Sequence, residues 1–292
     1  MASSAQEWLA LGIEAYLNRR FDEAAEDFEK AVAMDSGSVQ AHLALGAARF
    51  TLYMRGSFTR PPNFSAAGDR WEDEWAAFED KQKAMRTEQN STNWPLAEKS
   101  LKRANQLDPR DKLVVEYLCA LYFFWKDPVD EQNDRMDEAK HWLERLLELN
   151  PGHKYANSQC GMILIAKAHK LIPNYGRFPS VPEPDLPSLR PKVGPLLEEA
   201  RRHFARALSI AGEQTAASHF LDEVTSMETY LADPEKSARD LREKFAALRK
   251  RAQAGGDADS SSETITFHLS PEAIAEDRAR PFPPNPWRIP TG

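Results

Sequence analysis

Residues 20–38 read RFDEAAEDFEKAVAMDSGS and contain the pattern on which the fold depends. Ala24, Phe28 and Ala31 are spaced four and three residues apart, so on a helix they share one face. A large side chain between two small ones lets a neighbouring helix come close and receive the large one as a ridge. The stretch therefore predicts a helix that packs along this stripe against a second helix.

The same stripe of residues returns three times later in the chain. The copies are Ala97, Leu101 and Ala104; Ala139, Leu143 and Leu146; and Ala200, Phe204 and Ala207. Each copy, like the first, is followed by residues that end a helix, since Pro lacks an N–H and Gly adopts conformations that a helix excludes. These stops are Asp35-Ser36-Gly37, Asp108-Pro109, Asn150-Pro151 and Gly212. The recurrence predicts a series of similar helix pairs.

A second pattern lies upstream of the first stripe. Trp8, Leu11 and Gly12 have the spacing W-x2-L-G, and Ala24 follows twelve residues after Gly12. Tyr16 supplies the next aromatic side chain. Similar positions return at Leu45-Gly46, at Leu118-Cys119 and at Cys160-Gly161. The combination resembles the tetratricopeptide repeat, a helix–turn–helix unit of about 34 residues. This resemblance implies an all-α fold in which helix pairs stack into an α-α superhelix, or solenoid.

The resemblance implies a repeat domain over residues 1–254, followed by a linker and proline-rich tail over 255–292. The expected units are 5–38, 39–110 with an insertion at 54–92, 111–152, 153–213 with an insertion at 171–194, and a degenerate capping pair at 214–254. Asp233 is the expected N-cap of the last helix. Long insertions of this kind make the chain similar to some uncharacterised bacterial tetratricopeptide proteins.

The two insertions differ in character. The first predicts an amphipathic helix at about 69–90, with Trp71, Trp75, Phe78, Gln82 and Met85 on one face. That helix either packs on the outside of the repeats or forms a site for a partner. The second insertion contains many prolines, which predict extended chain and exclude a regular helix, with Tyr175 and Phe178 as anchors. In the tail, TITFHL alternates as a short strand does.

Composition limits the classes of function. The 292 residues carry a net charge of −7, so the chain lacks the basic surface of a nucleic-acid-binding protein. The two cysteines, Cys119 and Cys160, lie in apolar helical segments and are expected to be buried and reduced. No apolar run is long enough to span a membrane, and the first residues lack the pattern of a secretory signal. These features predict a cytoplasmic protein.

The sequence contains no motif that carries catalytic chemistry. Glycine-rich phosphate loops, G-x-S-x-G and H-E-x-x-H are absent, and the seven histidines show no metal-ligand spacing. We therefore expect no catalytic residue, no metal and no cofactor, and no enzymatic activity. Tetratricopeptide co-chaperones bind acidic peptide tails through basic and amide side chains on the first helices of their units. The corresponding positions here are the uncharged Leu9, Ile13, Ala44, Leu113 and Tyr117, which disfavour that role.

The repeat register predicts which side chains line the concave face. They are Leu9, Ile13, Tyr16, Leu43, Phe50, Glu116, Phe123, Tyr155, Met162 and Ile165. A monomer rarely leaves such an apolar surface exposed to water, so we expect other residues to bury it. They could belong to a protein or peptide partner, to a second copy of the chain, or to the chain's own insertions and tail, including Phe282 and Trp287. The predicted function is a protein-interaction scaffold. The alternatives are a small-molecule or lipid-binding module roofed by the insertions, and an accessory subunit of an enzyme complex.

Overall fold

The computed structural model describes residues 4–57, 71–126, 134–172, 186–211 and 216–233, together with residues 236, 237, 239, 243, 282, 283 and 286. All regular elements in these ranges are helices. In chain order they are α1 (Ala5–Leu17), α2 (Phe21–Met34), α3 (Val39–Ser57), α4 (Trp71–Ser91), α5 (Asn93–Leu107), α6 (Lys112–Phe123), α7 (Met136–Leu149), α8 (Lys154–Leu171), α9 (Leu186–Ala211) and α10 (Ala216–Ala232). The predicted all-α fold class is confirmed for this part of the chain.

The chain forms two compact units. The first comprises Met1–Asn150 and Ser270–Gly292, and the second comprises Pro151–Leu269. In the first unit α1 packs on α2, α2 on α3, α3 on α5, α5 on α6, and α6 on α7. In the second unit α9 packs on both α8 and α10. Consecutive helix pairs of this kind are the tetratricopeptide-type arrangement that the repeats predicted.

The recurring stripe forms the contact surface within each pair. All twelve stripe residues, from Ala24 to Ala207, are at most 1% exposed. The helices also end where the stop residues predicted: α2 ends at Met34, α5 at Leu107, α7 at Leu149 and α9 at Ala211. The prediction made from the stripes and stops is therefore confirmed in all four copies.

Three glycines let the paired helices touch. A Cβ placed on Gly12 would lie 2.5 Å from a ring carbon of Phe28, and one on Gly161 would lie 2.5 Å from the ring of Phe204. A Cβ on Gly46 would lie 2.6 Å from Leu101. These distances are shorter than carbon atoms tolerate, so only glycine admits the facing side chain at each position. The predicted nesting of large against small residues is confirmed here.

The first insertion contains the predicted helix. Helix α4 begins at Trp71 and ends at Ser91, and it packs on α3 and α5. Its C-terminal half makes the close contact: Gln82 is 7% exposed, and a Cβ on Gly56 of α3 would meet the side chain of Gln89 at 2.4 Å. Its N-terminal half is more open, since Trp75 remains 37% exposed. The helix therefore covers one side of α3.

The second insertion corrects a prediction. Its prolines do not exclude a helix, because α9 begins at Leu186 and contains Pro191 and Pro195. Proline costs little in the first turn, where the N–H groups have no intrahelical partner, and more further in. Burial offsets that cost, since Val193 and Leu197 have no exposed surface. Tyr175 and Phe178 lie outside the described residues.

Arg190 joins the start of α9 to the end of α10. Its guanidinium donates from Nε to the Leu231 carbonyl at 2.7 Å and from Nη2 to the Ala232 carbonyl at 3.0 Å. The last carbonyls of a helix lack intrahelical donors, and a cation there also meets the negative end of the helix dipole. This contact is a second reason why the proline-containing turn is helical.

We expect Arg190→Ala to lower the free energy of unfolding by about 1 kcal/mol, because it removes two charged hydrogen bonds at a mostly exposed site. Urea denaturation followed by circular dichroism measures the change. The control is Arg206→Ala, an exposed arginine on the same helix. Equal losses in both variants would show that Arg190 does not stabilise the end of α10.

The expected capping pair is described in part. Helix α10 supplies its first member, and the carboxylate of Asp233 accepts the backbone N–H of Lys236 at 2.9 Å, as an N-cap does. The predicted strand TITFHL lies outside the described residues, as does Trp287. The proposed division into repeat domain, linker and tail stays a prediction.

Candidate functional site

Three of the ten residues predicted for the concave face lie in one apolar cluster of the first unit. Tyr16 is 7% exposed and belongs to the buried part of the cluster, while Leu9 and Ile13 pack against it and keep part of their surface. Helix α1 places all three on one side through spacings of four and three residues. Helices α2 and α3 complete the cluster with Phe21, Phe28, Val32, Ala44, Leu45 and Leu52, among others.

The end of the chain also contributes to this cluster. The ring of Phe282 lies 5.0 Å from the ring of Tyr16 in an edge-on arrangement and 5.6 Å from the ring of Phe28. Phe282 itself is half-buried, and the neighbouring Pro283 is buried. We call the contact of Phe282 with Tyr16 and Phe28, together with Leu9, Ile13 and Leu52 of the same cluster, the Phe282 site.

Tyr16 offers no free hydroxyl to a ligand at this site. Its hydroxyl lies 2.6 Å from Thr51 Oγ1, and the Thr51 hydroxyl donates to the Ala47 carbonyl at 2.9 Å. Since the proton of Thr51 is used there, the Tyr16 hydroxyl donates to Thr51. Burial raises the pKa of Tyr16 to about 12, although the hydrogen bond to Thr51 acts in the opposite direction. The phenol therefore stays neutral, and the surface that it presents is an aromatic ring.

Four predicted residues lie elsewhere in the first unit and are mostly enclosed. Leu43 is 5% exposed, and Glu116 is 4% exposed. Phe50 has no exposed surface, because its ring packs against Tyr53, Tyr117 and Phe124. Phe123 is half-buried and packs edge-on against Phe124 at 5.3 Å. Phe50 therefore lies in the core, where a partner cannot reach it without opening the fold.

The remaining three predicted residues belong to the second unit. Ile165 is 5% exposed and lies in the core between α8, α9 and α10, against which Met162 packs with part of its surface exposed. Tyr155 is half-buried, and its ring lies 6.0 Å from the ring of His153. The structure therefore groups Leu9, Ile13 and Tyr16 in one cluster and Met162 and Ile165 in another.

The repeat register did not identify a cluster of aromatic rings around Arg135. The Arg135 guanidinium lies 4.6 Å from the centre of the Trp94 ring, 5.4 Å from Trp125 and 6.0 Å from Tyr122. The Tyr122 hydroxyl donates to Glu98, which also pairs with Lys102 at 2.7 Å. Burial and the neighbouring Glu98 raise the pKa of Tyr122 to about 12. At neutral pH this phenol is a hydrogen-bond donor and not an acid, so the cluster has a packing role.

Ionisable side chains also link α8 and α10 in the second unit. His169 Nε2 lies 2.7 Å from Glu223 Oε1, and this hydrogen bond lowers the pKa of Glu223 below its usual value of 4.5. A carboxylate whose pKa is lowered by folding stabilises the fold above its unfolded pKa. That stabilisation is lost as the pH falls through the lowered pKa.

We therefore expect the second unit to lose stability between about pH 5 and pH 3, and Glu223→Gln to lose less over that range. Urea denaturation at pH 7, 5, 4 and 3 measures the difference. Asp222→Asn, which changes an exposed carboxylate next to it, is the matched control. If both variants follow the pH dependence of the unchanged protein, Glu223 makes no such contribution.

Within the residues described, no group of three or more His, Cys, Asp or Glu side chains is placed to hold a metal ion. Cys119 and Cys160 are buried and form no disulfide, as expected. Among the helices of the described ranges, none combines the length and the apolar character that crossing a membrane requires.

No protein-family model matches the chain, and no curated relative matches it either. Solved structures resemble it at low identity. YrrB, a tetratricopeptide protein with an unusual peptide-binding site, is 16% identical, with a TM-score of 0.32, and the match covers 74% of this chain and 91% of YrrB. TTC0263 from Thermus thermophilus, a thermophilic tetratricopeptide protein, is 18% identical, with a TM-score of 0.31 and coverage of 77% and 98%. The human IFIT1 dimer with m7Gppp-AAAA is 15% identical, with a TM-score of 0.35 and coverage of 84% and 50%.

Proposed function

We propose that this protein is a non-catalytic scaffold that binds a protein or peptide partner through the exposed apolar surface of its first unit. The observation that carries the proposal is the Phe282 site, where Leu9 and Ile13 keep part of their surface above a well-packed core. A stretch of polypeptide is already seated on that surface at Phe282 and Pro283. A surface that accepts one such segment has the shape and polarity to accept another.

The chemistry of the first unit favours a protein partner over other ligands. The surface is apolar, and the buried hydroxyl of Tyr16 is already bonded to Thr51, so it is not available to orient a small polar molecule. The net charge of −7 disfavours RNA or DNA. A cytoplasmic location is part of the proposal, and it is favoured by the two cysteines, which form no disulfide.

A peptide library displayed on phage and selected against the immobilised full chain tests the proposal. We expect peptides with apolar anchor residues to be enriched, and their binding to be lost in Ile13→Glu, which puts a charge into the site. Ala10→Glu is the matched control, since it adds the same charge at an exposed position of the same helix. Circular dichroism of each variant checks that α1 is still folded.

Four outcomes would count against the proposal. The library enriches no peptide, or the enriched peptides bind Ile13→Glu as tightly as the unchanged protein. A third outcome is that native mass spectrometry finds one small molecule bound per chain of the purified protein, which would favour a small-molecule site instead. A dimer whose population rises with protein concentration, and which Ile13→Glu abolishes, would assign the surface to a second copy of the chain.

A further inference from the structure

The residues that meet at the Phe282 site come from opposite ends of the sequence. Tyr16 and Phe28 belong to the first helix pair, whereas Phe282 and Pro283 lie in the proline-rich segment near the C-terminus. The proline-rich segment has no helix partner in the repeat pattern. Its position on the first unit therefore depends on what its own side chains contact.

Phe282 packs against the buried core of the first unit from outside, and its own side chain is only partly buried. Phe28 below it has no exposed surface and is held by the close approach of Gly12, whereas Phe282 keeps part of its surface exposed. The residues around it already form a continuous cluster across α1, α2 and α3. A side chain placed in this way can leave without opening a cavity in the core.

The surface that receives Phe282 selects an aromatic side chain. Tyr16 presents its ring edge-on to Phe282, a favoured arrangement for aromatic pairs, and the Phe28 ring is tilted by 35° relative to it. Pro283 and Pro286 are both buried, so the prolines beside the aromatic residue also lose contact with water. Proline fixes its own φ angle before binding, which lowers the entropy lost on docking.

We propose that the Phe282 site recognises a peptide in which an aromatic residue precedes proline, and that Phe282 and Pro283 are its internal occupant. This inference rests on the proposed function and specifies the chemistry of the partner. Because the occupant belongs to the same chain as the site, it docks intramolecularly, and its effective concentration exceeds that of a dilute external peptide. The tail therefore competes with an external peptide and sets the concentration at which a partner can bind.

A peptide with the sequence of residues 280–288, RPFPPNPWR, tests the inference directly. A fluorescein-labelled copy is titrated with the full chain and with full-length Phe282→Ala, and binding is followed by anisotropy. We expect Phe282→Ala to bind the peptide at least about tenfold more tightly than the unchanged protein, since its own tail competes less. The control peptide, with alanine in place of phenylalanine, should bind neither protein above background.

Equal affinity of the two proteins for the peptide, or binding by neither, would overturn the inference. The melting temperature of Phe282→Ala gives a second criterion. We expect it to stay within a few degrees of the unchanged protein, because an exchangeable occupant contributes little to the core. Unfolding of the variant would show that Phe282 is a core residue, and would likewise overturn the inference.

The library selection separates this inference from the proposed function. If selected peptides bind at Ile13 but contain no aromatic–proline pair and bind Phe282→Ala no more tightly, the scaffold function stands and the competition by the tail is wrong. If the tail peptide binds Phe282→Ala while the library enriches nothing, the tail occupies its site but the proposed external partner is contradicted.

Discussion

Phe28→Ala is expected to lower the free energy of unfolding of the first unit by about 3–5 kcal/mol, the range measured for buried Phe→Ala changes. The side chain has no exposed surface, and it fills the space left by the missing side chain of Gly12. Its removal leaves a cavity between α1 and α2 and also removes the ring beneath Phe282. Guanidinium denaturation monitored by circular dichroism measures the loss.

The control for this change is Phe21→Ala on the same helix. Phe21 is only half-buried, at the edge of the same cluster, so its removal should cost about half as much or less. If the two alanine variants lose equal stability, or if Phe28→Ala loses less than about 1 kcal/mol, the ring of Phe28 does not hold the first helix pair together.

Gly161→Ala is expected to destabilise the second unit by about 1–3 kcal/mol, as overpacked cores do. The added methyl group would lie 2.5–2.7 Å from three ring carbons of Phe204. That ring has no exposed surface and is stacked on Phe220 at 5.4 Å, so it has little room to move. Alanine is otherwise the better helix former, so a net loss of stability must come from the steric contact and understates its cost.

Ala205→Gly is the matched control, because Ala205 is an exposed position of α9 in the same unit and the change reverses the helix-propensity effect. Its expected loss of about 0.5–1 kcal/mol equals the gain that Gly161→Ala would show if the added methyl group met nothing. Thermal and urea denaturation of both variants measure the two changes. A gain of stability in Gly161→Ala would contradict the packing described for α8 and α9.

The features predicted correctly are those that depend on local spacing. The stripe around Phe28 repeats because each helix pair packs a large side chain against small ones in the same way. The spacing of residues on one face of a helix is set by backbone geometry. The stops at Asp35 and Asn150 likewise follow from local chemistry. Helix α4 was predicted because its apolar residues recur with a helical period.

The surface residues were harder to predict, and Phe50 shows why. The repeat register assumes that the first helix of a pair keeps one side open. Helix α3, however, packs against α2, α4, α5 and α6, and 13 of its 19 residues are buried. The Phe50 ring lies against Tyr117 and Phe124, which belong to the next unit along the chain. Burial that depends on how closely a neighbouring unit approaches cannot be derived from the register of one repeat.

The start of α9 illustrates the opposite error. Pro191 and Pro195 lower helix propensity locally, but Val193 and Leu197 gain burial and Arg190 gains two carbonyl partners on α10. Tertiary contacts therefore outweighed the local preference of proline against helix. The carbonyl partners of Arg190 lie 41 and 42 residues along the chain, too far for a local pattern to indicate them. The same limit applies to Phe282. Its apolar side chain suggested that the tail covers part of the repeats, but the sequence did not indicate that it contacts Tyr16 on α1.

A double-mutant cycle between Gly161 and Phe204 tests the central claim, the nesting of large against small side chains, most directly. Gly161→Ala, Phe204→Leu and the double variant are compared with the unchanged protein by urea denaturation. The smaller leucine should make room for the new methyl group, so the double variant should be more stable than the sum of the single losses predicts, by about 1 kcal/mol or more. Additive losses would show that the two side chains do not meet, and would contradict the packing on which this account of the fold depends.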